Sequence, residues 1–140
     1  MQQFLFLIIA LFVVITIHEF AHAWTANMLG DPTAKRMGRV SLNPLKHIDP
    51  LGFVMIFLIG IGWGKPVPVN PSYFKKPKSH EALVALAGPV SNLIIALIIV
   101  IPLKYLPGVM PFWLDMLLEY IFEIAIVLFV FNMLPFPPLD

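Results

Sequence analysis

Residues 15–24 read Ile-Thr-Ile-His-Glu-Phe-Ala-His-Ala-Trp, which puts two imidazoles and a carboxylate at the end of an oily run. On a helix, the four-residue spacing of His18 and His22 stacks both rings on one face, where they can share one tetrahedral zinc ion. Glu19 then stands beside the open metal position, placed to take a proton from water. Random ordering of the four histidines and four glutamates among 140 residues would produce His-Glu-x-x-His only about 0.003 times. The bland alternative is that the rings bond each other or a backbone carbonyl. At membrane depth, however, such groups cost several kcal/mol unless they are paired or metal-bound.

The elements that must position these groups belong to a membrane chain. Of the 140 residues, 59% are hydrophobic and 12% charged, against a charged share of about 25% in soluble domains. The chain has no cysteine, so a metal must be held by imidazole and carboxylate. A net charge of +1 gives no support for a nucleic-acid partner. Phe4 to about Leu29 is long enough to cross a bilayer as a helix, and Met-Gln-Gln at its start lacks a basic signal-peptide region, so it reads as a retained anchor. Spans at 82–103 and 111–134 follow, giving an all-α membrane protein with three transmembrane helices. The intervening loop, 31–81, is punctuated by proline. Its apolar island Leu51–Trp63 is too short to span and suits a re-entrant or interfacial segment, and Lys65–Pro71 reads as an extended edge strand or loop.

Eight of the nine lysines and arginines fall within 31–81, which puts this loop in the cytoplasm and the N-terminus outside. His18 lies about 21 Å down the helix from Phe4, in the cytoplasmic half of the membrane. Asp115, Glu119 and Glu123 repeat every four residues in the outer half of the third span; they read as a helix beginning in water rather than as an ion path.

Catalytic zinc needs a third protein ligand. A metzincin continuation is excluded, because Thr25 and Met28 occupy the glycine and histidine positions. A thermolysin-like Asn-Glu pair is absent, since Glu81, Glu119 and Glu123 follow His80, Leu118 and Phe122. His47, beside Asp49 and Pro50, reads as a solvated or capping histidine. Asp140 is the better candidate. It lies on the same side as the histidines, behind Pro135, Pro137 and Pro138, which break the third helix and let irregular backbone turn a carboxylate inward.

HEFAH together with Asn132-x-x-Pro135 and Leu139-Asp140 resembles the site-2 protease family of intramembrane zinc metalloproteases. The stretches 38–52 (GRVSLNPLKHIDPLG), 62–71 (GWGKPVPVNP) and 87–92 (AGPVSN) are similar to small bacterial and archaeal members without a PDZ domain. The resemblance implies one zinc per chain on His18, His22 and Asp140, with Glu19 as base and Asn132 and Asn92 as polar groups steadying substrate or intermediate. It also implies a membrane-protein substrate with a transmembrane segment, a re-entrant β-hairpin before the second span, and a bacterial or archaeal cell membrane. The family pattern continues past Asp140 with glycine and further helices, so a truncated core of a larger bundle is expected. Two other classes remain open at this point: a metal-cation transporter and a noncatalytic module that captures substrate.

Overall fold

Four Asx-Pro steps organise the polar part of the chain, and in each the Asp or Asn accepts from the first backbone N–H after the proline. In three of them the proline takes the first helical position, where it sacrifices no needed donor, whereas Pro32 stands one residue before its helix. Asp31 thus accepts from Thr33 N at 2.9 Å, Asn43 from Leu45 N at 3.0 Å, Asp49 from Leu51 N at 2.8 Å and Asn70 from Ser72 N at 3.1 Å. These steps open α2 (Thr33–Arg36), a 3-10 turn at Pro44–Lys46, α3 (Pro50–Ile59) and a second 3-10 turn at Pro71–Tyr73. The long helices are α1 (Gln2–Met28), α4 (Pro77–Tyr105) and α5 (Phe112–Met133).

This computed structural model describes residues 1–134, so the expectations placed on Pro135, Pro137, Pro138, Leu139 and Asp140 lie outside the described residues. The chain divides into two compact units, residues 1–14 with those from Pro89 onward, and Ile15–Gly88.

In the first unit, α1, α4 and α5 contribute a core of Ala10, Val14, Ala96, Ile121 and Ala125. Three of these five are alanine, which lets helix backbones approach closely where lipid gives no hydrophobic drive. Leu5, Leu97, Ile98, Val127 and Val130 stay exposed on the outer faces. Helices α1 and α4 are long and apolar enough to cross a membrane, yet only 28% of the apolar window of each is buried. Such helices suit a lipid surround better than the interior of a soluble protein. Helix α5 forms where the third span was expected, with Glu119 and Glu123 exposed. It stops because Leu134 precedes Pro135 and is extended (φ −71°, ψ 141°).

In the second unit, Gly30 (φ +109°) ends α1, with Asp31 N–H reaching back to Ala26 O at 2.9 Å. The Asp31 carboxylate is fully buried, and its other oxygen accepts from Asn70 N at 2.7 Å, which clips the far end of the loop to the end of α1. Ala26, Phe74 and Val84 form the core beneath this clip.

The island Leu51–Trp63 forms α3 and then doubles back. Gly60, in the left-handed region at φ +76°, caps the helix, and a Cβ on Gly62 would collide with the side chain of Ile56. No strand forms among the described residues. Lys65–Pro71 takes the loop form of the two expected, with one antiparallel bridge between Ile48 and Gly64 in place of a β-hairpin. The reason is chemical: Pro66 and Pro68 have no N–H to give to a ladder, and the carbonyls of Lys65 and Pro66 are taken by Arg39.

Candidate metal centre

The chemistry expected of residues 15–24 is assembled wholly within the second unit. His18 and His22 sit one turn apart on α1, 5% and 7% exposed, with their Nε2 atoms 3.0 Å apart. The two ring planes are nearly perpendicular, at 81°. His22 Nδ1–H donates to the carbonyl of Val84 on α4 at 2.6 Å. That bond assigns the proton to Nδ1 and leaves the His22 Nε2 lone pair available.

The nitrogens fit zinc. Two imidazole nitrogens on one tetrahedral ion, each at 2.0–2.1 Å, stand roughly 3.3 Å apart, so the observed 3.0 Å needs only a small opening. Room for the ion comes from Gly88. A Cβ built there would lie 2.6 Å from His18 Nε2 and closer still to His22 Nε2, so glycine keeps open the very space both Nε2 atoms adjoin. Among the described residues no group of three or more His, Asp or Glu surrounds this space. Asp140, the expected third ligand, lies outside them.

Glu19 is partly buried. Its Oε1 stands 3.8 Å from the point where a Cβ on Gly64 would be, so residue 64 passes directly beside the carboxylate. Arg39 lies within its electrostatic reach. This guanidinium is only 3% exposed, and it donates to the carbonyls of Lys65 and Pro66, the latter at 2.8 Å. Burial lowers its pKa, and the negative charge of Glu19 works against that shift.

Of the two forms expected of His47, solvated or capping, it takes the second: it caps the Pro44–Lys46 turn, its backbone N–H donating to Pro44 O at 3.0 Å, and it is not solvated. It is fully buried, with Nε2–H donating to Ser41 O at 2.6 Å and its backbone carbonyl accepting from Lys65 N at 2.7 Å. Burial pulls its pKa below the ordinary histidine value; the Ser41 carbonyl opposes that shift and the Arg39 charge adds to it. A second proton on Nδ1 would have no acceptor among the described residues. The unfolded chain therefore binds this proton more readily, and stability is lost as pH falls below about 6.5. Melting curves between pH 7.5 and 5 should show a shallower fall of Tm with acidity for His47→Gln than for wild type; equal slopes would remove His47 from the account.

Asn92 and Asn132 belong to the first unit. Asn92 is fully buried, and Asn132 donates to Leu128 O of its own helix at 2.7 Å. Sequence reasoning missed Gly88 and Arg39 as site residues. Both lie in stretches that resemble the family, 87–92 and 38–52, but nothing in those stretches says what either residue would face.

Comparison with known proteins agrees with the geometry. Residues 6–112 match the model of Peptidase family M50. YwhC of Bacillus subtilis (strain 168), named provisionally as a zinc metalloprotease, is 46% identical over 142 residues, covering 96% of this chain and 65% of its own length. Rip2 of Mycolicibacterium smegmatis, with the same provisional activity in its name, is 30% identical over 131 residues, covering 89% of this chain and 49% of its own. MJ0611 of Methanocaldococcus jannaschii, likewise named, is 31% identical over 93 residues, 64% of this chain and 46% of its own. The chain thus spans between about half and two thirds of the length of these relatives. No solved structure matches it at a significant level. With its paired histidines, the space held open by Gly88 and a family match over most of its length, the chain belongs to Peptidase family M50, the site-2 protease family.

Proposed function

We propose that this chain is the catalytic core of an intramembrane zinc metalloprotease that cuts peptide bonds in or near transmembrane segments. The observation that carries the reading is the pair of Nε2 atoms, 3.0 Å apart, beside the space that Gly88 leaves open, on the helix that also carries Glu19. His18 and His22 would hold one zinc, with Asp140 as third ligand. When bound, zinc polarises the scissile carbonyl and lowers the pKa of water towards about 7. Glu19 takes the proton of the attacking water on its carboxylate and hands it to the leaving amine. Val84 O keeps the His22 ring oriented through the Nδ1–H bond. Asn92 and Asn132 steady the substrate.

Helices α1, α4 and α5 are the three spans, with loop 31–81 in the cytoplasm, so water reaches Glu19 from that side. Exposed Leu51, Val54, Phe57, Leu58, Ile61 and Trp63 make α3 and the chain after it a re-entrant segment dipping into the bilayer. A helical substrate hides its peptide bonds, so it must unwind to be cut. Val67 and Val69, two residues apart and without backbone hydrogen bonds among the described residues, suit pairing with an unwound strand.

The test uses the full-length protein, purified in detergent with a single-span substrate. One zinc per chain and cleavage that stops on chelation and returns with zinc are expected. A zinc-loaded protein that leaves such substrates intact while moving divalent cations into liposomes would replace the reading with transport.

A further inference from the structure

The loop segment Gly64–Pro66 brings Gly64 beside the Glu19 carboxylate, and few backbone hydrogen bonds hold it there. Lys65 N donates to His47 O at 2.7 Å and Ile48 bridges Gly64, but Pro66 has no donor, and the carbonyls of Lys65 and Pro66 face into the fold. Arg39 satisfies both. A guanidinium this deeply buried would ordinarily seek a carboxylate. This one forks instead onto two consecutive backbone carbonyls. Those dipoles do not cancel its charge, and Glu19 lies within its electrostatic reach. Gly64 fits closely there: a Cβ would lie 3.3 Å from both Ile15 Cγ2 and His47 O.

We propose that Arg39 is a positioning residue for the reaction at Glu19: its buried fork on the Lys65 and Pro66 carbonyls holds residues 64–66 against the carboxylate. Arg39 acts through that segment and does not touch the scissile bond. The inference rests on the metalloprotease reading for its effect on rate, but the grip itself is independent of that reading. Lysine keeps the charge yet offers a single ammonium that can satisfy one carbonyl well, whereas glutamine loses both the charge and the fork.

The experiment compares full-length wild type, Arg39→Gln and Arg39→Lys by cleavage kinetics, zinc content and amide hydrogen exchange. Arg39→Gln should lower kcat by about tenfold or more with KM within about twofold. Zinc content should stay unchanged, and exchange should quicken at Gly64 and Lys65 but not along α1. Arg39→Lys should recover part of both effects. Unchanged exchange at Gly64 and Lys65 in both variants overturns the proposal, as does a loss of rate that follows zinc or folded protein in strict proportion. If Arg39→Gln does not fold, Arg39→Lys carries both measurements. If wild type itself does not cleave, the protease reading fails, and the exchange measurement still decides whether Arg39 holds the segment.

Discussion

Replacing Glu19 with glutamine in the full-length protein is expected to cut kcat by a factor of about 10² to 10⁴, the usual contribution of a positioned proton-transfer group. Zinc content should not change. Glutamine keeps the size of the side chain and removes only its basicity, and Glu19 is the second residue of the motif rather than one of its two imidazoles. The bond that holds the His22 ring runs to Val84 O, so glutamine at position 19 leaves that bond in place. Elemental analysis beside single-turnover cleavage measures both quantities on one sample. Full cleavage by Glu19→Gln would take the base role from this residue. Equal loss of zinc and rate would mean that the carboxylate helps to hold the ion. The same variant separates protease from transporter, since moving a cation past two imidazoles requires no proton acceptor beside them.

Gly88→Ala should abolish zinc binding almost as completely as loss of a histidine would. The added methyl would stand 2.6 Å from His18 Nε2 and nearer to His22 Nε2, in the space both nitrogens adjoin. Relief requires a ring to turn or α4 to retreat. The His22 ring is tied to Val84 on that same helix, so a retreat of α4 breaks the bond that sets its tautomer. Altering groups that merely orient a ligand typically weakens metal binding 10- to 100-fold; occupying the space should weaken it by about a hundredfold at least. Chelator competition on Gly88→Ala, with the exposed-site variant Ala85→Ser as control, gives the comparison. Wild-type affinity in Gly88→Ala would place the ion somewhere other than between these nitrogens.

Much of the scaffold was legible before any coordinates. Spans expected at 4–29, 82–103 and 111–134 coincide closely with helices Gln2–Met28, Pro77–Tyr105 and Phe112–Met133, because a long apolar run has few ways to satisfy its backbone other than a helix. The Asx-Pro steps were equally local and equally visible, but were read as loop punctuation, and two of them open helices while two open 3-10 turns. The burial of His47, as distinct from its capping place, is not legible in the sequence for a different reason. Its neighbours in sequence are polar, yet the loop closes over it through the Ser41 and Lys65 backbones, and both bonds depend on where the chain returns.

What the sequence determined by itself is the register of His18, Glu19 and His22, for 3.6 residues per turn leaves no freedom in which face a four-residue spacing occupies. It also determined that this register lies within a helix long and apolar enough for a membrane. Only the tertiary structure decided what stands opposite. Gly88 reaches the histidines from 66 positions or more along the chain, and Arg39 reaches the Lys65 and Pro66 carbonyls across 26 and 27. Such meetings follow from how helices and loops pack, where any small residue or any arginine would look the same in one dimension. The spacing of ligands is a property of one helix, whereas the space between them and the grip beside them are properties of its neighbours.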